Sequence, residues 1–392
     1  MIPSIIALAI WAVIAPINDV QSSPTAAPEW NSWNAYRCDI NENKTLAAAN
    51  QFVSLGLKDV GYEYVNIDVS SCMAHAHTST KRIIPDSTKF PNGINTVASK
   101  IHDLGLKMGI YSDAGTATCA GYPGSLGFEA IDAATFSEWG IDYNCNVPRN
   151  WTDVTPIPGN DWYNSNSSIR YRQMTAALVT QTRPIQFSLC IWGTANVWDW
   201  GARVGHSWRM GGDSSPTWSY ITSIININIA HLSSINFFAH NDMDMMEIGN
   251  GALTIQEQRT HFAAWIMFKR LGKLNSTQLA IIKNKELLAF HQDDTIGTPA
   301  APFTARSGAP VTSPPEFYSG KSSKGTHVFI INTSGSDSTK QFTFANVPGL
   351  RAGGRFKIHD MWTGQDLSGT HTSSFSANVA AHDTAAFLIT PV

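Results

Sequence analysis

The run "NTVASKIHDLGLKMGIYSD", Asn95 to Asp113, holds a whole structural unit in nineteen residues. Its first part reads as a helix closed by Gly105, because glycine takes the left-handed conformation at a helix C-terminus without a Cβ penalty. Leu106 to Asp113 follows as an apolar stretch too short for a helix, finishing on Tyr, Ser and Asp. A helix feeding directly into a strand that ends in functional groups is the repeating unit of a parallel α/β fold.

Working outward, the same shape recurs at "YEYVNID" (Tyr62 to Asp68), "IDYNC" (Ile141 to Cys145), "IQFSLCIW" (Ile185 to Trp192), "SWRMGGD" (Ser207 to Asp213) and "INFFAHNDMD" (Ile235 to Asp244). Each is apolar and finishes in polar residues, and helix-like runs such as "NKTLAAANQFVSLGLKDVG" lie between them. Strand, helix, strand with functional groups at the strand ends describes an α/β fold of the (β/α)8 TIM-barrel type. Past residue 295 the texture becomes rich in Pro, Gly, Ser and Thr, then breaks into short β-like pieces, "THVFIINTS", "KQFTFANV", "RFKIHDMW" and "AAFLITPV". The expected organisation is a leader over residues 1–22, a barrel over 23–295 and a C-terminal antiparallel β-sandwich over 296–392.

Composition narrows the function. A net charge of -3 with 15% charged residues supplies no basic surface for nucleic acid. Thirteen tryptophans and ten tyrosines supply flat faces that suit sugar rings as well as a core. The apolar run from Ile5 to about Pro16 is too short to span a bilayer and reads as a secretory signal cut between about Ser22 and Ala27, so a secreted protein with no membrane anchor is expected. Sequons at Asn43, Asn150, Asn166, Asn275 and Asn332 agree with export. The cysteines, Cys38, Cys72, Cys119, Cys145 and Cys190, show no C-x-x-C spacing, and their odd number suits two disulfides and one free thiol.

Longer stretches carry a family resemblance. "WNSWNAYRCDINE" at Trp30, "KRIIPDSTKFPNGI" at Lys81, the block from His102 through "ATFSEWGIDY", "SWRMGGD" at Ser207, "HNDMDM" at His240 and "KLNSTQLAIIKNKELLAFHQD" at Lys273 resemble the fungal α-galactosidases of glycoside hydrolase family 27. The resemblance implies retaining hydrolysis of terminal α-linked galactose from small or oligomeric α-galactosides, with no cofactor and no metal. A retaining glycosidase uses one carboxylate as nucleophile and a second as acid then base. In the family's R-x-x-G-D stretch the Asp is the acid/base, which matches Asp213 with Arg209 four residues before it. Trp33, Asp68, Tyr111, Cys119 and Trp192 fall where the resemblance places sugar-binding groups. It also implies disulfides Cys38 with Cys72 and Cys119 with Cys145, leaving Cys190 unpaired.

The nucleophile departs from the pattern. Where the family reads I-D-Y-L-K-Y-D-N-C, this chain reads "IDYNC", as if L-K-Y-D were removed, so Asp142 matches the upstream structural Asp. Asp142 is the remaining nucleophile candidate, and it could serve only if the strand slid, which turns every side chain to the other face. Three further departures occur: N-I-D-D-C-W reads "NIDVSSCM", C-E-W reads "CIW" with Ile191 for the Glu, and about nine residues of an eighth strand are absent at "FKRLGKLNSTQ". Each lost polar contact strands a sugar hydroxyl at about 1–3 kcal/mol. Three readings compete: an α-galactosidase, an inactive galactoside-binding paralogue, and an active α-galactosidase whose exon boundaries are misassigned; the second accounts for lost acids around a kept pocket but not for a missing strand, because a binding protein still has to fold.

Overall fold

The structure, a computed structural model, describes residues 29–68, 73–74, 80–148, 153–155, 157–268, 276–293, 295–296 and 299–392. The leader, Cys72, the sequons at Asn150 and Asn275, the inserted residues 69–72 and the "FKRLGKLN" departure from residue 269 lie outside these.

Seven parallel strands form one sheet: β1 (Glu29–Asn31), β2 (Tyr64–Ile67), β3 (Lys107–Asp113), β4 (Tyr143–Val147), β5 (Gln186–Leu189), β6 (Ser207–Arg209) and β7 (His240–Asp242). They pair in chain order, so each crossover returns the chain beside the strand it left. Helices α1 (Trp33–Tyr36), α2 (Glu42–Ser54), α3 (Ile94–Asp103), α4 (Glu129–Trp139), α5 (Asn166–Leu178), α6 (Trp218–Ile229), α7 (Ile255–Phe268), α8 (Ser276–Ile282) and α9 (Lys285–His291) complete this part. In α3 the buried residues are Ile94, Val97, Ala98 and Ile101, the spacing of one helix face, and Gly105 follows with φ +70°. Among the described residues no strand joins β7 to β1, and the seven described strands form a curled, TIM-like parallel sheet.

The C-terminal part is antiparallel: β8 (Ala301–Pro302), β9 (Phe317–Ser322), β10 (Gly325–Ile331), β11 (Ser338–Thr343), β12 (Phe356–Asp360), β13 (Gln365–Asp366), β14 (Ser374–Val379) and β15 (Thr384–Pro391). Six of these make one sheet, and β11 with β14 makes a second. Strand alternation divides β10 between two cores: Val328 and Ile330 face the sandwich with Phe342, Phe344 and Phe387, while Phe329 and Ile331 join the barrel core. Arg259 of α7 reaches Asp383 at 2.8 Å, and the hydroxyls of Thr260 and Thr384 meet at 2.7 Å. The two parts are thereby tied by buried polar bonds as well as by apolar contact.

Strand β4 differs from the expected Ile141–Cys145, and it is not shortened. Its lower end is pinned by Asp142, whose carboxylate accepts from the Met108 amide at 2.9 Å and Arg183 Nε at 3.1 Å and lies 2.8 Å from His102 Nε2. Burial alone would raise the Asp142 carboxyl, but the bonds from His102, Met108 and Arg183 outweigh it and hold the carboxyl below its ordinary value. Above this pin, Tyr143 lies over Gly109, where a Cβ would stand 2.9 Å from the tyrosine ring and 2.0 Å from Asn66 Oδ1. With the bottom of the strand held, Asn144, Cys145, Asn146 and Val147 are drawn into the sheet. The cost is visible: the side-chain oxygen of Asn144 and both polar atoms of the Asn146 side chain are buried without a hydrogen-bond partner.

Candidate functional site

The C-terminal ends of parallel strands collect functional groups because the strands stop there while the loops that follow remain open to solvent. Arg209, last in β6 and buried, organises this end. Its Nη2 donates to Asp213 at 3.2 Å and to Asp244 at 2.7 Å, and Nη1 donates to the Cys190 sulfur at 3.5 Å. Asp213 leaves most of its side chain open, at 74% exposure, so its carboxyl can reach an incoming ligand. Asp244 is instead buried and committed, accepting from the Ser214 amide at 2.6 Å as well as from Arg209.

Asp68 follows β2 and accepts from Asn31 Nδ2 at 2.7 Å. Desolvation pushes its carboxyl up to about 6 against the Asn31 bond, and the negative charges of Asp244 and Asp213 add to the rise while Arg209 opposes it. Asp68 thus shares one electrostatic neighbourhood with Arg209, Asp213 and Asp244. Tyr111 of β3, Val147 of β4 and Cys190 form a small cluster with Cys145 and Trp192 against it. Trp33 opens α1, with its amide bonded to Asn31 Oδ1 at 2.8 Å, so the residue that orients Asp68 also places this tryptophan. Cys119 is exposed, and its amide donates to the Tyr111 hydroxyl at 3.4 Å.

The structure therefore brings together Asp68, Tyr111, Trp192, Arg209 and Asp213. It sets Asp142 apart. Val147 stands in the strand row of Cys190, since the Cys190 amide bonds the Asn146 carbonyl, and Arg209 comes next in that row. Asp142 is five residues below Val147, roughly 16 Å down the strand at about 3.3 Å per residue. Its carboxylate sits at the opposite end of the sheet from Asp213, in the network with His102 and Arg183. The strand has not slid, so Asp142 keeps its place at the foot of β4.

Asp244 and Asn31 are site residues that sequence reading left without a role. The motif "HNDMDM" marks a strand end, but only the shared guanidinium shows that Asp244, two residues beyond β7, steadies Arg209. Among the described residues no three His, Cys, Asp or Glu side chains gather as a metal site, and no described helix is long and apolar enough to cross a membrane. The expected Cys119–Cys145 bond is not formed.

Residues 25–293 match the family described as alpha galactosidase A, and residues 312–389 match the alpha galactosidase C-terminal beta sandwich domain. This chain belongs to the α-galactosidase family. A probable alpha-galactosidase B of Penicillium simplicissimum is 44% identical over 400 residues, covering 92% of each chain, and that of Talaromyces emersonii is 45% identical over 411, covering 92% and 91%. Among solved structures, α-galactosidase I of Mortierella vinacea superposes with a TM-score of 0.84 at 30% identity, covering 95% of this chain and 98% of that one. The Saccharomyces cerevisiae α-galactosidase determined with raffinose gives 0.82 at 25%, covering 94% and 98%. The function that goes with this family and fold is glycoside hydrolysis releasing terminal α-linked galactose.

Set against the α-galactosidase pattern I-D-Y-L-K-Y-D-N-C, the structure places the departure residue by residue. With Asp142 and Tyr143 in register, Asn144, Cys145, Asn146 and Val147 occupy the strand positions of L, K, Y and D. Val147 is buried in the cluster with Tyr111 and Cys190. The Glu of C-E-W is replaced by Ile191, whose side chain is fully buried in the barrel core.

Proposed function

We propose that the strand-end site takes the terminal galactose of an α-galactoside, with Asp213 as the proton donor to the leaving oxygen and then the base, and with Asp68 accepting from the sugar hydroxyls. The observation that carries this reading is the convergence of Asp213 and Asp244 on one nitrogen of Arg209 beside Asp68. A guanidinium shared with a buried carboxylate is held still, so the exposed Asp213 has a fixed anchor from which to reach a ligand. In the background of Val147→Asp, which supplies the second carboxylate, adding Asp213→Asn is expected to lower α-galactoside turnover about 10²- to 10⁴-fold, the usual contribution of a general acid. Unchanged turnover in that variant, measured on an unactivated α-galactoside, would sink the assignment.

Double displacement also needs a carboxylate on the other face of the sugar. Val147, which the family resemblance puts at the nucleophile's strand position, cannot supply one, and on this reading the chain in its present form binds α-galactosides better than it cleaves them.

Asp68 makes the binding pH-dependent. Its folded value of about 6 lies above the ordinary 3.8, so the charged form is held at a cost to stability above that ordinary value. Sugar hydroxyls donate to the charged form, so binding draws the proton off and affinity falls as pH drops below about 6. Calorimetric titration is expected to show galactose binding about tenfold weaker at pH 5 than at pH 7, with Asp68→Asn removing the dependence. Equal affinity across that range would mean that Asp68 does not receive the sugar.

We further infer export to the extracellular space, on the leader and the sequons. Asn43 and Asn166 are exposed, whereas Asn332 is fully buried and its Nδ2 donates to the carbonyls of Ser336, Val379 and Ala380 at 2.8, 3.0 and 3.0 Å. Intact glycopeptide mass spectrometry of secreted protein is expected to find glycan at Asn43 and Asn166 and none at Asn332. A glycan on Asn332 is incompatible with this sandwich core.

A further inference from the structure

The register that places Val147 also relocates a cysteine. In the family pattern the Cys after the nucleophile stands seven residues past the structural Asp, but here Cys145 stands three past Asp142. That is a displacement of four strand positions, about 13 Å. Instead of lying beyond the strand end, Cys145 lies inside β4 opposite Ser188.

Strand alternation turns Cys145 and Val147 to the same face, and Cys190, in the row of Val147, shares it. Cys145 and Cys190 pack in one cluster with Tyr111, Val147 and Trp192, and the neighbouring Cys190 thiol, together with burial, pushes the Cys145 thiol up. Cys119 stands off from them. Tyr111 opposes Cys145 across β3 and β4, and Cys119 meets the far end of the same side chain, its amide on the phenol oxygen. A tyrosine side chain is therefore interposed between Cys119 and Cys145.

We propose that Cys145 and Cys190 form a disulfide in this chain, in place of a Cys119–Cys145 bond, and that Cys119 is left as an accessible thiol. In a glutathione redox buffer the bond forms by exchange: the two cysteines lose two electrons and two protons as one S–S bond forms, and one glutathione disulfide is split into two glutathione thiols. Diagonal neighbours on adjacent strands have Cα atoms about 7–8 Å apart, just beyond the usual disulfide reach, so closing the bond requires the backbone at Cys190, immediately past the end of β5, to shift toward Cys145 by about 1 Å. Both thiols line the cluster beneath the site, and the Cys190 sulfur already receives Arg209, so the bond stitches the strand that replaces the lost segment to its neighbour.

The test is a disulfide map of the full-length protein equilibrated in reduced and oxidised glutathione, alkylated, then cut with trypsin and a Glu-specific protease. Cleavage after Glu129 and Glu138 separates Cys119 from Cys145. The expected result is a linked pair of peptides carrying Cys145 and Cys190, with Cys119 alkylated to near completion. Cys119→Ser leaves the link intact, and Cys145→Ser makes Cys190 alkylatable after denaturation. Inserting L-K-Y-D after Tyr143 lifts the cysteine back to the strand end and moves the link to Cys119. A Cys119–Cys145 link in the parent, or Cys145 and Cys190 both alkylated, overturns the proposal. If a variant does not fold, the map of the parent decides alone.

Discussion

Val147→Asp is expected to raise turnover of an aryl α-galactoside over the parent by about 10³-fold or more, the scale of effect seen when a single nucleophile is lost from a hydrolase site. Asp142 and Tyr143 pin the foot of β4 through Met108, His102, Arg183 and Gly109, so the fifth position above Asp142 cannot move. That position now holds Val147, packed against Tyr111 and Cys190 in the strand row of Arg209. A carboxylate there faces the same pocket as Asp213, and the Arg209 cation nearby offsets part of its desolvation. Cys145 holds the place of the family lysine, so Cys145→Lys added to Val147→Asp is expected to give a further gain. Asp142→Asn in either background is expected to leave kcat unchanged in whatever protein folds, because the Asp142 carboxylate serves the strand. No gain from Val147→Asp, with galactose binding intact, would mean that β4 does not present residue 147 to the sugar.

The second large effect is on stability. Asn144→Leu together with Asn146→Leu is expected to stabilise the fold by about 2–5 kcal/mol, since each replacement removes buried, unpartnered polar atoms that cost about 1–3 kcal/mol apiece. Leucine keeps the heavy-atom count and Cγ branching of asparagine but is bulkier, so overpacking of about 1–3 kcal/mol offsets part of the gain. Urea denaturation reads this directly as a higher midpoint with an unchanged slope. A lower midpoint would mean that these asparagines are satisfied in solution and that the drawn-in segment fits its strand better than its polar atoms indicate.

Much of the fold was legible because strand runs ending in polar groups alternate with helical runs, and six of the seven parallel strands fall in stretches read that way. β1 was not, since Glu29–Asn31 is three residues long and carries no periodicity. β9, Phe317–Ser322, was hidden in a segment that reads as linker because its neighbours are Pro and Gly. Arg209, Asp213, Asp68 and Tyr111 were legible as strand-end groups. Asp244 was not assigned, because its role depends on a contact with Arg209 across two strands that no spacing reveals. β4 lies two residues later at each end than the run Ile141–Cys145 suggests, because the anchor at Asp142 leaves Ile141 and Asp142 below the strand and draws Asn146 and Val147 into the sheet. Asn332 meets the sequon rule and is excluded by burial, which sequence spacing does not report.

The most direct test of the account is covalent labelling with a galactose-configured cyclitol epoxide, which alkylates the nucleophile of retaining galactosidases. Parent, Val147→Asp and the L-K-Y-D insertion after Tyr143 would be treated alike and the modified peptide sequenced by mass spectrometry. The predicted result is no carboxylate ester in the parent, an ester at position 147 in Val147→Asp, and an ester at the inserted Asp in the third protein. An ester on Asp142 of the parent would contradict the account, because it would show that β4 presents its lower carboxylate to the sugar and that the strand register described here is wrong.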